Sequence, residues 1–258
     1  QLAELAADAC DDRKAVDIQL IRVDEVSSLA DWMVIAGGQS DVQVKAIARS
    51  VEDRLEEEVQ QAVRTTIERC EASIEAAQGT MLNGPIQGGV YRDLRKQSAQ
   101  GMGQFDFAVH PIGGIVPIME QHRYKDLAKI MLATIGELPP ERPRHMFGCG
   151  HPMLFSMLIA LGADLFDSAA YALFARDDRL LSPQGTYRLS DLHAWPELVP
   201  CVVHWTPEGV RKLKQEERTK LLARYNLEVT LAELSRCKQA VHDGTIWQLA
   251  EHRSHQHP

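Results

Sequence analysis

LFDSAAYALFARDDR, residues 165–179, decides how the whole chain is read. Ala163, Leu165 and Phe166 form an apolar strand that stops at Asp167, just as the polar residues begin. In a parallel α/β barrel the strand interiors are packed core, and carboxylates at the C-terminal strand ends face the active site. An Asp in that place can attack a sugar C1′ and carry a covalent glycosyl–enzyme intermediate. Asp-Ser pairs also cap helices, so spacing alone leaves Asp167 two roles.

Working outward, the same plan recurs three times upstream. In MLNGPIQGGVYRDLRKQSAQ (81–100), Ile86 predicts a short buried strand, Gln87-Gly88-Gly89 a loop, and Tyr91 onward a helix. FDFAVHPIGGIVPIME (105–120) repeats it, with Gly113-Gly114 as the loop and a helical segment around Tyr124–Thr134. ERPRHMFGCGHPMLFSMLIALGA (141–163) predicts a strand near His145–Gly148 and a helix after Pro152. Four strand–loop–helix units in succession predict an α/β fold, half of an eight-stranded parallel (β/α)8 TIM barrel.

The residues before these units differ in character. Residues 2–12 predict a short amphipathic helix, 15–23 a strand, and SSLADWMVIAGG (27–38) a second strand over Trp32–Ala36. Ser40 is a helix N-cap, and no Pro or Gly interrupts residues 41–77. That predicts one continuous helix, or two fused end to end, joining a small α/β fragment to the barrel units. Residues 1–58 hold 6 Lys/Arg against 14 Asp/Glu, whereas residues 59–258 hold 22 of each. All the excess negative charge therefore lies in the first quarter. Neither part carries the basic footprint that self-sufficient nucleic-acid binding favours.

The 258 residues, 45% apolar and 25% charged, suit a globular protein with a sizeable core. No apolar run approaches the roughly 18 residues of a membrane span. QLAELAADAC shows no secretion signal, and its lack of Met is expected of a cut or processed chain. Five scattered cysteines point to a reducing, cytoplasmic setting.

GPIQGGVYRDLR (84–95), HPIGGIVPIMEQHRYKDL (110–127), MFGCGHPMLF (146–155), DLFDSAAYALFARDDRLLSPQGTYRL (164–189) and LLARYNLEVTLAELSRCKQAV (221–241) resemble the tRNA-guanine transglycosylases. GHPMLF and DSAAYALFARDD point to their archaeal, archaeosine branch. The resemblance implies the C-terminal half of the catalytic barrel (59–190) and a C-terminal helical part (191–258). It also implies a reaction on tRNA: a D-arm guanine is flipped out and exchanged for the 7-deazaguanine base 7-cyano-7-deazaguanine. Asp167 matches the nucleophile, Gln87 the side chain on the base edge, and Gly113 and Gly114 the backbone wall beside the base. Read by themselves, Gln87-Gly88-Gly89 is also a tight turn and Gly113-Gly114 a strand-end bulge. His151 is either a helix cap or a pocket residue, and Arg176–Arg179 reads as a solvated loop.

The chain departs from the family pattern in two places. The family's zinc site, Cys-x-Cys-x-x-Cys with a later helical His, keeps only Cys201, with His204 nearby; Tyr225 stands in the His position. The expectation is no zinc and no other cofactor. The first half of the barrel, with its general acid/base Asp, has no counterpart, and Asp167-Ser168 is the chain's only Asp-Ser. The chain alone is therefore expected to be inactive, unless a homodimer completes eight strands.

DDRKAVDIQLIRVDEVSSLADWMVIAGGQSDVQVKAIARSVED (11–53) resembles the ribosome silencing factor (Iojap) family. That resemblance makes residues 1–58 a fragment with the large ribosomal subunit as partner, and translation repression the alternative function. Two truncated families meeting inside one helix suggest a chimera.

Overall fold

A computed structural model describes residues 2–24 and 31–256. Residues 27–30 of the quoted second-strand segment and the last two of the C-terminal part lie outside these. The chain divides into two compact units, residues 1–110 with 114–139, and residues 111–113 with 140–258.

In the first unit, α1 (Leu2–Asp11) precedes an antiparallel hairpin of β1 (Val16–Arg22) and β2 (Trp32–Gly37). Leu20 pairs with Val34 and Ile21 with Met33, with a register shift between Val16 and Gln19. α2 (Asp41–Glu68) starts at Ser40, whose Oγ accepts from Gln43 N at 3.3 Å. Gln43 Oε1 reaches back to accept from Gln39 N at 2.6 Å, just ahead of the cap, so one first-turn donor and one preceding it are satisfied reciprocally. The long helix is two end to end: a single αR residue, Arg69, joins α2 to α3 (Cys70–Ala76).

The buried strand expected at Ile86 is reduced to single bridges. Asn83 bridges Val109 in parallel and Ile86 is again a bridge residue, with Pro85, which has no N–H to donate, between them. Ile86 is fully buried, in a core with Cys70, Ala99, Met102, Phe107 and Leu138. α4 (Arg92–Met102) lies against α2 so closely that a Cβ on Gly101 would come within 2.4 Å of Ile67 Cδ1. After the short β3 (His110–Ile112) follow α5 (Val116–Glu120) and α6 (Tyr124–Ile135), the latter burying Leu127, Ile130 and Met131.

In the second unit, β3 is followed in sheet order by β4 (Arg144–Met146) and β5 (Leu165–Phe166). β4 and β5 run parallel, His145 opposite Leu165 and Met146 opposite Phe166. Between them α7 (Pro152–Ala160) begins at His151, whose Nδ1 accepts from Met153 N at 3.3 Å, so His151 caps a helix. α8 (Ala170–Arg176) leads into the hairpin of β6 (Arg179–Ser182) and β7 (Gly185–Arg188). Arg176–Arg179 is no simple solvated loop. Asp178 accepts from Arg218 at 2.8 Å, and the Arg179 guanidinium stacks 4.1 Å over Phe174.

α9 (Pro207–Arg211), α10 (Gln215–His242) and α11 (Ile246–Gln256) complete the unit. Buried Asn226 of α10 accepts from Leu181 N at 2.8 Å and donates to the carbonyls of Tyr171 and Arg179, both at 3.1 Å. Glu233 of α10, fully buried, takes two hydrogen bonds from Arg253 of α11 at 2.8 and 2.9 Å. The fold is mixed α/β.

Candidate active site

β5 ends at Phe166, and Asp167 follows as the strand opens. The turn into α8 is served by Ser168, whose Oγ accepts from Ala170 N at 2.9 Å. Ser168 thus serves the turn, with Ala169 at the N-cap of α8, and the Asp167 carboxylate reaches across to the neighbouring strand. Its Oδ1 accepts from His145 Nε2 at 2.8 Å and from Gly148 N at 2.9 Å. Its side chain is 52% exposed, against 17% for His145. Asp167 thus combines a fixed oxygen with access to solvent, which suits a nucleophile and is unneeded in a structural cap.

The loop around it is tight. A Cβ on Gly150 would fall 2.1 Å from Ser168 Cβ, so the chain passes there only as glycine. Gly148 takes φ +82, and His145 meets Phe147 edge to face with ring centroids 5.7 Å apart. Phe147 is exposed, an apolar face beside the carboxylate. Cys149 is fully buried; burial, with a smaller push from the Asp167 charge, drives its thiol up to about 12. It is no thiolate at neutral pH.

The first unit holds a second cluster. Gln87 opens the turn, followed by Gly88 at φ +132 and Gly89 at φ +56. Gln87 N donates to Ser98 Oγ at 3.1 Å. Arg95, fully buried on α4, donates from Nε to Gly89 O at 2.8 Å and from Nη1 to Ile86 O at 3.2 Å. Burial lowers its pKa to about 10. A Cβ on Gly114, at φ +67, would sit 3.4 Å from Arg95 Nη2 and 3.5 Å from Gln87 Oε1. Gln87 and Gly114 are therefore brought together. Gly113 belongs with Asp167 to the second unit.

His145, Arg95 and Ser98 are site residues that the sequence reading passed over. Arg95 and Ser98 had a signal: they occupy the face of α4 that carries Leu94, Ala99 and Met102 into the core.

The residues at the family's zinc position do not fit the ion. Cys201 N donates to Glu228 Oε2 at 2.9 Å, and burial plus the adjacent Glu228 carboxylate push its thiol up to about 12. Tyr225 is fully buried against Trp195, ring centroids 5.3 Å apart, and its hydroxyl accepts from Glu197 N at 3.1 Å. His204 is exposed. One protonated thiol and a buried phenol are not the deprotonated N/S donor set zinc takes.

The family model described as queuine tRNA-ribosyltransferase matches residues 38–258, and the chain belongs to that family. The match begins ahead of the join expected at residue 58. Among its relatives, the tRNA-guanine(15) transglycosylase of Methanocaldococcus jannaschii is 46% identical over 209 residues, 78% of this chain and 32% of the relative. Those of Methanothermobacter thermautotrophicus (45% over 196 residues; 76% and 30%) and Thermococcus kodakarensis (44% over 206; 80% and 35%) are similar. The chain spans about a third of the length of these curated relatives.

Proposed function

We propose that this chain is the nucleophile-bearing part of an archaeal-type tRNA-guanine transglycosylase acting in the cytoplasm. The observation that carries this is Asp167: a carboxylate at a parallel strand end, held through one oxygen and open to solvent. One carboxylate oxygen attacks ribose C1′ as the C1′–N9 bond breaks, and the electron pair leaves with guanine. The incoming 7-cyano-7-deazaguanine then attacks C1′ through its ring nitrogen, losing a proton, and Asp167 departs as the carboxylate. Gln87 would bond the base edge, with Gly113 and Gly114 as the wall. The parallel pairing of β4 with β5 and the parallel bridge at Asn83 support reading the units as half a (β/α)8 barrel.

Guanine needs a proton to leave, and the family resemblance places that acid in a part of the barrel outside these residues. The chain by itself should therefore bind without steady exchange. A leaving group that departs as a stable anion removes the requirement. With p-nitrophenyl β-D-ribofuranoside the chain should release p-nitrophenolate once and retain ribose as an ester, mapped to Asp167 by mass spectrometry. Asp167→Asn should do neither. A ribosyl group on another residue would defeat the assignment. The resemblance of residues 1–58 to the silencing factors adds a large-subunit contact to this reading, and cosedimentation with ribosomal subunits, indifferent to Asp167→Asn, tests it.

A further inference from the structure

The bond between His145 and Asp167 has a direction that chemistry fixes. A carboxylate only accepts, so the shared proton resides on His145 Nε2. Together with Gly148 N, it places two donors on Oδ1, and neither bond engages Oδ2. The register sets this up: His145 lies opposite Leu165 on parallel strands, two residues short of Asp167. The imidazole, mostly buried and braced edge to face by Phe147, can turn little.

Resting on the reading of Asp167 as nucleophile, we propose that His145 is a positioning residue that locks the carboxylate rotor and presents Oδ2 to C1′. Its work spans both displacements. In the first, Oδ2–C1′ forms as the C1′–base bond breaks, and the fixed rotor keeps Oδ2 in line. In the second, the base nitrogen attacks C1′, the Oδ2–C1′ bond pair returns to the carboxylate, and the Nε2–H on Oδ1 stabilises the charge that reappears there. Interactions that strengthen as charge develops raise the rate without tightening substrate binding.

The same riboside tests this on the chain. His145→Phe should slow the single-turnover release of p-nitrophenolate about 100-fold, the scale of a misplaced reacting group, with the half-saturating riboside concentration changed less than about 2-fold. His145→Gln, whose amide nitrogen reaches the Nε2 position, should restore most of the rate. A phenylalanine variant at wild-type rate, or a glutamine variant no better than phenylalanine, overturns the inference. If Asp167→Asn stays reactive, the nucleophile assignment itself falls; a dead Asp167→Asn beside a full-rate His145→Phe sinks only the role of His145. A readout without turnover is the 15N spectrum of His145, expected to show protonated Nε2 and to shift on Asp167→Ala. An unmoved resonance overturns the proposal whatever the rates.

Discussion

Two of the sheets in this protein are built by opposite rules. The β1–β2 hairpin has strands of seven and six residues, yet none of these strand residues is buried, and Leu20, Ile21, Trp32, Met33 and Ile35 are exposed. The β3–β4–β5 sheet has strands of three, three and two residues, with His110, Ile112 and Met146 fully buried. A long ladder supplies hydrogen bonds whose net worth is small, because water offers the same bonds to the unfolded chain. The short strands are held by what packs on them, and this rigidity delivers Asp167 and His145 to one another. Strand length is thus no guide to where a site sits; burial is.

The largest effect should come from removing that packing. Met146→Ala or Ile112→Ala deletes a side chain with no exposed surface and should cost about 2–5 kcal/mol, read from urea unfolding. A loss below 1 kcal/mol would mean the flanking helices collapse onto the gap, and the contrast between the sheets would weaken. Gly150→Ala comes next. Its Cβ would overlap Ser168 at 2.1 Å, so the backbone carrying Asp167 has to shift, at about 1–3 kcal/mol and with slower ester formation at Asp167. Unchanged ester formation would show that the loop yields without moving the carboxylate.

A smaller effect is set by pH. Burial raises the Cys149 thiol from 9.0 to about 12, and those of Cys201 and Cys237 also reach about 12. The unfolded chain releases these protons near pH 9 and the folded chain keeps them. The associated stability is complete below pH 9 and is lost as pH climbs toward 12. The urea midpoint should fall across that window, less steeply in Cys149→Ala. An identical slope in that variant would place the titration elsewhere.

How much of this the sequence carried depended on range. Local rules placed most helices, because Ser40, Pro152 and the glycines act within a few residues. They also marked the strand end at Asp167. They placed Ile86 in buried pairing but not its extent, which is cut to single bridges because Pro85 beside it has no N–H to donate. Spacing left Asp167 either cap or nucleophile; in the structure it is Ser168 that accepts from Ala170 N. His145 and Arg95 stayed hidden for a different reason. Their roles are contacts across 22 residues, and from Arg95 back to Gly89 and Ile86 around a turn that only the positive φ of Gly88 and Gly89 allows.

The smallest effect tests the hairpin. Trp32 is 48% exposed and pairs with Arg22 at the end of the ladder. Replacing it with Thr, another residue that suits a strand, keeps the backbone bonds and removes side-chain area already in water. The change should stay within about 0.5 kcal/mol, as for surface positions generally. Calorimetry of Trp32→Thr beside Met146→Ala sets the two sheets on one scale. Should the Trp32 variant lose more than about 2 kcal/mol, the indole is shielded in solution, and the hairpin obeys the same packing rule as the sheet that carries Asp167.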